Sequence, residues 1–564
     1  MKIVQIGLLS LMIFGLLGCT AEKKGVMAEL VLNHGKIWTV NPDQPWAEAV
    51  AILEETILSV GTSDEIEEFI GDATEVIDLE GAFVLPGFID CHTHFLEGGY
   101  SLASVQLKDA RSKEEFTDRI AAKAKEMDKG EWILSGAWDQ QKFDPPEMPR
   151  RDWIDDVTRE NPVLVVRYDG HMALANSLAL KIAGITKKTV TPSGGEILRD
   201  PQTGEPTGIL KDAAMDLVVK HIPEASLKEK TRAVEAALKH ANSLGLTSIH
   251  DMASPTQTGV HQNIEIYQNL LHEGKLTARL FVYIPISDVD LYARLSLMTP
   301  FGNNMLKIGG LKGFVDGSLG SFTALFFDPY TDDPGKSGIL AADMYPEGIM
   351  EKRIRAAEEA GLQVAIHAIG DKAIHLILDI MESAISEGGE RDRRWRIEHS
   401  QHLVAEDFER YARLNIIASV QPYHAIDDGR WAEKKIGKDR ARRTYAFKSF
   451  LDNGVRLACG SDWYVAPLNP ILGIYAGVTR RTLDGKNPEG WYPEQKISLE
   501  EVIKGYTINA AYAEFAEGTK GSIEVGKLAD IVVLSQNLFQ IPPESIPETE
   551  VLMTIFNGKI IYRR

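Results

Sequence analysis

The sequence predicts an α/β protein: a (β/α)8 barrel of the TIM type, a small composite β-sandwich built from both termini, and an insertion after barrel strand 1. Three observations predict it. Short apolar strands alternate with helical stretches through the middle of the chain, the pattern of a parallel α/β architecture. Eight such strands can be counted, the number a barrel closes with. Hairpin-like runs of one style occur near both ends, so the two ends share one sheet domain. At 564 residues and 44% hydrophobic content the chain can bury a large core and more than one structural unit.

The opening "MKIVQIGLLSLMIFGLLGC" has an early lysine, an apolar stretch and small residues before Cys19, the layout of a secretory signal over residues 1–18. It is short for a membrane span. Its ending, Leu16-Leu17-Gly18-Cys19, resembles a bacterial lipobox. That implies a lipidated Cys19, a tether over 19–26, and an exported protein anchored by lipid to the cell envelope, at the outer membrane or periplasmic face in a diderm host. A plain signal with an accidental cysteine is the alternative.

From 27 to 85, "AELVLNHGKIWTV" and "AEAVAILEETILSVG" read as hairpins and form the first part of the sandwich. "GSIEVGKLADIVVLS" and "VLMTIFNGKIIYRR", within 516–564, form the second. The barrel spans 86–515. Its strands are "FVLPGFIDCHTH", "LTSIHDM", "ARLFVYIPI", "GGLKGFVDG", "LQVAIHAIG", "RWRIEHSQ", "NIIASVQPY" and "VRLACGSDW". Helices are expected at 227–244, 347–360 and 371–386, each followed within a few residues by glycine. The stretch from about 102 to 223 is too long for a simple βα connection and reads as an inserted subdomain. The only cysteines are Cys19, Cys91 and Cys459, so no disulfide framework supports the fold. A net charge of −20 excludes nucleic acid as a partner, because that binding needs a basic surface. Nothing in the sequence sets an oligomeric state.

Polar residues that suit metal chemistry fall at the C-terminal ends of the strands: His92 and His94 on the first, Lys312 and Asp316 on the fourth, His367 on the fifth, His399 on the sixth and Asp462 on the eighth. In a barrel those ends converge on one mouth. Strand alternation puts His92 and His94 on one face, with Cys91 on the other; Cys459, three residues before Asp462, also points away from the mouth. Lys312 and Asp316 share a face that Lys307 does not. Taken singly, each residue has an ordinary reading. His367 and His399 could be core histidines, Asp462 a cap, and Lys312 a side chain reaching the rim. Five strand ends carrying such residues together point to a metal site, where imidazoles hold the ion and Asp462 takes a proton from water and returns it to a departing nitrogen.

The set "PGFIDCHTH", the fourth-strand lysine, the single histidines of the fifth and sixth strands and "GSDW" resembles the amidohydrolase superfamily. "LKGFVDGSLGSFTA", "IHAIGDKAI" and "RIEHSQ", with the long insertion, resemble its YtcJ-like branch, which includes N-substituted formamide deformylases. The resemblance implies His92, His94, His367, His399 and Asp462 around one or two divalent ions, usually zinc. With two ions, it implies a carboxylated Lys312 bridging them. His171 in "RYDGHMALANS" resembles a feature of that branch and would polarise or orient the substrate, or be a satisfied loop histidine. Trp138, Tyr168 and Trp463 could line an apolar pocket, although aromatic residues more often just pack, and Asp316 could bind substrate or only hold loops. The expected activity is hydrolysis of an amide-like C–N bond in a small molecule, such as an N-substituted formamide. A cyclic-amide or carbamate hydrolase and a non-catalytic, lipid-anchored binding protein are the alternatives.

Overall fold

The computed structural model describes residues 26–168, 172–192, 195–212, 214–223, 225–252 and 260–564. The signal, Cys19 and His171 lie outside the described residues. Eight parallel strands form the barrel wall: β1 (Phe88–Thr93), β2 (Leu246–Asp251), β3 (Arg279–Pro285), β4 (Leu306–Phe314), β5 (Val364–Ala368), β6 (Arg396–His399), β7 (Ile417–Val420) and β8 (Leu457–Cys459). Each pairs with the next in chain order. All eight predicted strands are present.

The predicted first strand is two strands. Phe83–Pro86 belongs to the sandwich, and the barrel begins only at Phe88. The switch happens at Gly87, which lies against the side chain of Thr247; a Cβ there would come within 2.4 Å of its hydroxyl oxygen. The chain can therefore leave one sheet and enter the other without displacing β2.

Closure between β8 and β1 uses little regular ladder. The Asp462 N–H donates to the His92 carbonyl at 2.7 Å, and the His94 N–H to the Trp463 carbonyl at 2.6 Å. A Cβ on Gly460 would sit 2.6 Å from the His92 nitrogen, so only glycine permits the approach. The seam that shuts the barrel thus carries His92, His94 and Asp462 of the predicted metal set.

The helices that cover the wall follow local sequence signals. Leu227–Ser243 starts at a capping box between Ser226 and Glu229, and Ile349–Ala360 ends at Gly361 with φ 73°. Phe88, Ile249, Leu280, Ile366 and Ile397 belong to the large core beneath such helices. A six-stranded sheet holds Ile531–Leu534 and Val551–Phe556 from one end of the chain beside Phe83–Pro86 and Lys36–Trp38 from the other. It packs on a four-stranded sheet through Leu32, Ile37, Val50, Ile52, Ile531 and Ile555. Arg279 at the start of β3 pairs with Asp530 at 2.7 and 2.9 Å, tying barrel to sandwich through a buried ion pair. Between β1 and β2 a separate five-stranded sheet runs from Ile133–Trp138 to Pro206–Asp212.

Candidate metal centre

His92 and His94 converge on one carboxylate. Their Nε2 atoms lie 3.5 and 3.4 Å from Asp462 Oδ1. Each ring is oriented by its other nitrogen. His92 Nδ1 is 2.6 Å from Glu398 Oε2, and His94 Nδ1 is 3.1 Å from the Met252 carbonyl. Both partners are acceptors, so Nδ1 carries the proton and Nε2 keeps its lone pair. His399 repeats the device, with Nδ1 2.8 Å from Gln421 Oε1. The His92 Nε2 atom is buried without any hydrogen-bond partner, which is costly unless something else binds it.

Beneath these rings lies a charged layer that spacing alone did not reveal. Arg396 Nε donates to Glu398 Oε1 at 2.5 Å, while its terminal nitrogens reach the Cys91 carbonyl, Ser419 Oγ and His250 Nδ1 at 2.6, 2.6 and 3.0 Å. The Ser419 hydroxyl donates to Glu398 Oε2 at 2.6 Å. Burial pushes the Glu398 carboxyl up, but Arg396 and His92 outweigh it and hold the group well below the usual carboxylate range. A sequence signal existed in "RIEH": two opposite charges at alternate positions of a fully buried strand.

The same balance governs Asp462. Burial raises it, yet the contact with His94 and the nearby His92 and His399 rings keep it far below the ordinary range, hence ionised. Burial, with Lys312 nearby, pulls His92 down to about 4 and His367 to about 3, so both rings are neutral at pH 7 and can act as ligands. His399 and Asp462 hold φ of 71° and 60°, left-handed backbone that non-glycine residues adopt only where the surroundings enforce it.

Lys312 is 1% exposed, and its Nζ has no hydrogen-bond partner, sitting 4.9 Å over the Phe314 ring. Burial pulls the amine down to about 8, although Glu398 and Asp462 favour its charge. His367 turns Nε2 to the Gly317 carbonyl at 3.1 Å, and its ring centre lies 4.6 Å from that of His399. His424, on the helix Pro422–Asp428, was not anticipated; it falls within 4.8 Å of His399 and Asp462 by donor atom.

Contacts decide three of the expectations. Asp316 holds loops, the second of its two readings: its carboxylate accepts from the N–H groups of Leu325, Ile369 and Gly370 at 2.8 to 3.0 Å, which fixes the loops after β4 and β5. Trp138 does not line a pocket, since it is fully buried in the insertion core with Nε1 donating to the Val165 carbonyl at 2.8 Å. Trp463 likewise packs, against Phe95 and His240. Cys91 is the third. Between Asp90 and Thr93, β1 carries one more residue than the facing segment of β2, and this breaks the alternation. Its Sγ lies 3.5 Å from Ser419 Oγ, on the side of the Glu398 layer, whereas Cys459 packs in the core under the helices as expected. Tyr168 is half-exposed in the insertion beneath the Arg167 guanidinium, 4.5 Å from its ring centre. A cavity of about 550 Å³ lies at the other end of the strands, lined by Met298, Phe301, Gln363, Arg393 and Phe515, away from this chemistry.

Imidazoles around an ionised carboxylate at a barrel mouth fit a divalent cation and define a metal-dependent hydrolase of the barrel type. The chain belongs to the amidohydrolase family, whose family model matches residues 75–562. It is 41% identical to Protein LONG AFTER FAR-RED 3 of Arabidopsis thaliana, over 95% of this chain and 92% of that protein. It is 32% identical to the putative amidohydrolase YtcJ of Bacillus subtilis, over 95% and 99%. The N-substituted formamide deformylase of Arthrobacter pascens is 27% identical over the same shares, 95% and 99%. Among solved structures, a metal-dependent hydrolase from Pyrococcus furiosus superposes with a TM-score of 0.72 at 31% identity, covering 90% of this chain and 99% of that one.

Proposed function

We propose that this amidohydrolase-family protein cleaves an amide-like C–N bond in a small molecule, with an N-substituted formamide or a related small amide as substrate and zinc as the metal. The observation that carries the reading is the convergence of the His92 and His94 Nε2 atoms on Asp462 Oδ1 at 3.5 and 3.4 Å, with the opposite nitrogens of both rings already engaged. A divalent ion held there supplies Lewis acidity toward a carbonyl and lowers the pKa of water. Asp462, kept ionised by its neighbours, accepts the proton of the attacking water and passes it to the departing nitrogen. Glu398 and Arg396 hold the His92 ring in the tautomer this requires. The relative that deformylates N-substituted formamides supports the choice of substrate class.

A carboxylated Lys312 belongs to this proposal. A buried ammonium without a partner beside the donor set would be repelled by a dication, whereas its carbamate would supply anionic oxygens able to bridge two ions. Reconstitution should then depend on bicarbonate, and small carboxylates should partly rescue Lys312→Ala. A fully active enzyme with one ion and an unmodified Lys312 would sink the bridge and leave the hydrolase. Export and lipid anchoring through Cys19 are proposed on the lipobox-like sequence, with His171 as a substrate-orienting group. Cys19→Ser should leave the protein unlipidated. Among the described residues no helix is long and apolar enough to cross a membrane.

The test of function is a screen of the metal-loaded protein against N-substituted formamides, acyl amides, cyclic amides, carbamates and lactones, with products identified by mass. Formate and free amine from a formamide are the expected products. Absence of turnover across every class would favour a binding protein.

A further inference from the structure

His424 belongs to none of the strand ends on which the barrel chemistry was expected. It sits one turn beyond β7, on the short helix Pro422–Asp428, and its Nε2 is buried without a hydrogen-bond partner. Such an atom in a folded protein calls for a ligand. Two other potential donors lie nearby. One ligand atom each from His399, His424 and Asp462 fall within 4.8 Å of one another, a spacing that fits three donors on a single ion.

The local structure makes this more than proximity. Gln421, which precedes the helix, accepts from His399 Nδ1 at 2.8 Å, so the residue that orients His399 also starts the turn that delivers His424. Orienting His399 in this way leaves its Nε2 as the free donor. Asp462 is shared: His92, His94 and Asp462 form a first group of three, and His399, His424 and Asp462 form a second.

We infer that His424 is a metal ligand, completing with His399 and Asp462 a second three-donor position for a divalent cation at the barrel mouth. The inference rests on the metal-dependent reading proposed above and deepens it. It assigns the end of β7 a part in holding metal, and it gives Asp462 two ions to serve.

The test uses the full chain, stripped with a chelator and reloaded with Co²⁺, whose visible absorption reports ligand number and type. Metal content per chain, Co²⁺ affinity and the spectrum are compared for wild type, His424→Ala and the double variant His92→Ala/His94→Ala. The expected result is that His424→Ala binds one ion at least tenfold more weakly and loses its share of the spectrum, while the double variant loses the other share. The metal-free His424→Ala protein should unfold at no lower temperature than metal-free wild type, because the substitution removes an unpartnered buried nitrogen. If alanine leaves the protein poorly folded, His424→Phe fills the ring volume without a donor and repeats the measurement. Unchanged stoichiometry, affinity and spectrum in a folded His424 variant would overturn the inference alone. A wild type that binds no Co²⁺ would overturn the metal-dependent reading itself.

Discussion

The barrel mouth and the layer just beneath it are built from the same residue types and treat them in opposite ways. In the lower layer the opposite charges are paired, Arg396 with Glu398 and Lys520 with Glu514, although Glu514 Oε1 and His250 Nε2 lack hydrogen bonds. In the mouth, by contrast, the nitrogens of His92 Nε2, Lys312 Nζ and His424 Nε2 are buried and unmatched. An unpaired buried polar group costs about 1–3 kcal/mol, so a ligand bound by these nitrogens would offset a cost that the paired charges below do not carry. The lower layer supplies rigidity, and the mouth supplies unmet bonding capacity.

The sharpest way to break that contrast is to neutralise the carboxylate both groups of donors share. Asp462→Asn should lower kcat by about a hundredfold or more, the range for losing a general acid–base group, with much of the fold kept. Steady-state kinetics on a metal-loaded, folded variant checks it; near wild-type turnover would show that another group moves the proton.

The lower layer should respond differently. Glu398→Gln leaves Arg396 buried without its counter-ion and replaces one of two acceptor oxygens by an NH2 donor, so Arg396, Ser419 and His92 must share the single oxygen that remains. We expect metal affinity to fall by about 10–100-fold, the usual cost of losing a partner behind a ligand, and stability to fall by about 3–5 kcal/mol. Metal titration and chemical denaturation report the two separately. A loss of stability with unchanged affinity would mean that the layer supports the barrel and does not tune the site.

Acid separates the regions again. An exposed histidine titrates near 6.5, but burial brings His92 to about 4 and His367 to about 3, whereas at His94 burial is outweighed by Asp462, which leaves that ring above its ordinary value. Only the neutral ring binds a cation, so protons compete first at His94 and at the other two rings only as the pH falls toward 4. Metal loss on dialysis should therefore begin as His94 protonates and finish only in the lower range, and release already complete above about pH 5 would contradict the burial argument. The smallest effect belongs to Cys91. Cys91→Ala should leave metal content unchanged and cost about 1 kcal/mol, a typical value for trimming one buried atom, as thermal unfolding can show.

The sequence by itself determined which segments are strands and which ends carry chemistry. Both are local properties: apolar runs bounded by glycine mark the strands, and "HTH", "AIHA", "IEHS" and "GSDW" stand at their ends whatever surrounds them. It could not determine what each polar atom would find. Asp316 matched the pattern of a mouth residue, yet two later loops supply three N–H groups that engage it. Trp138 reads the same from sequence whether it lines a cavity or fills a core. One extra residue in β1 moved Cys91 to the inner layer, because strand parity holds only while the ladder stays in register. The "RIEH" pattern hinted at a buried charge pair, but the roles of Glu398 and His424 became legible only when the barrel closed. Their meaning lies in distances to His92 and to Asp462, residues 306 and 38 positions away along the chain, and only the tertiary structure sets those distances.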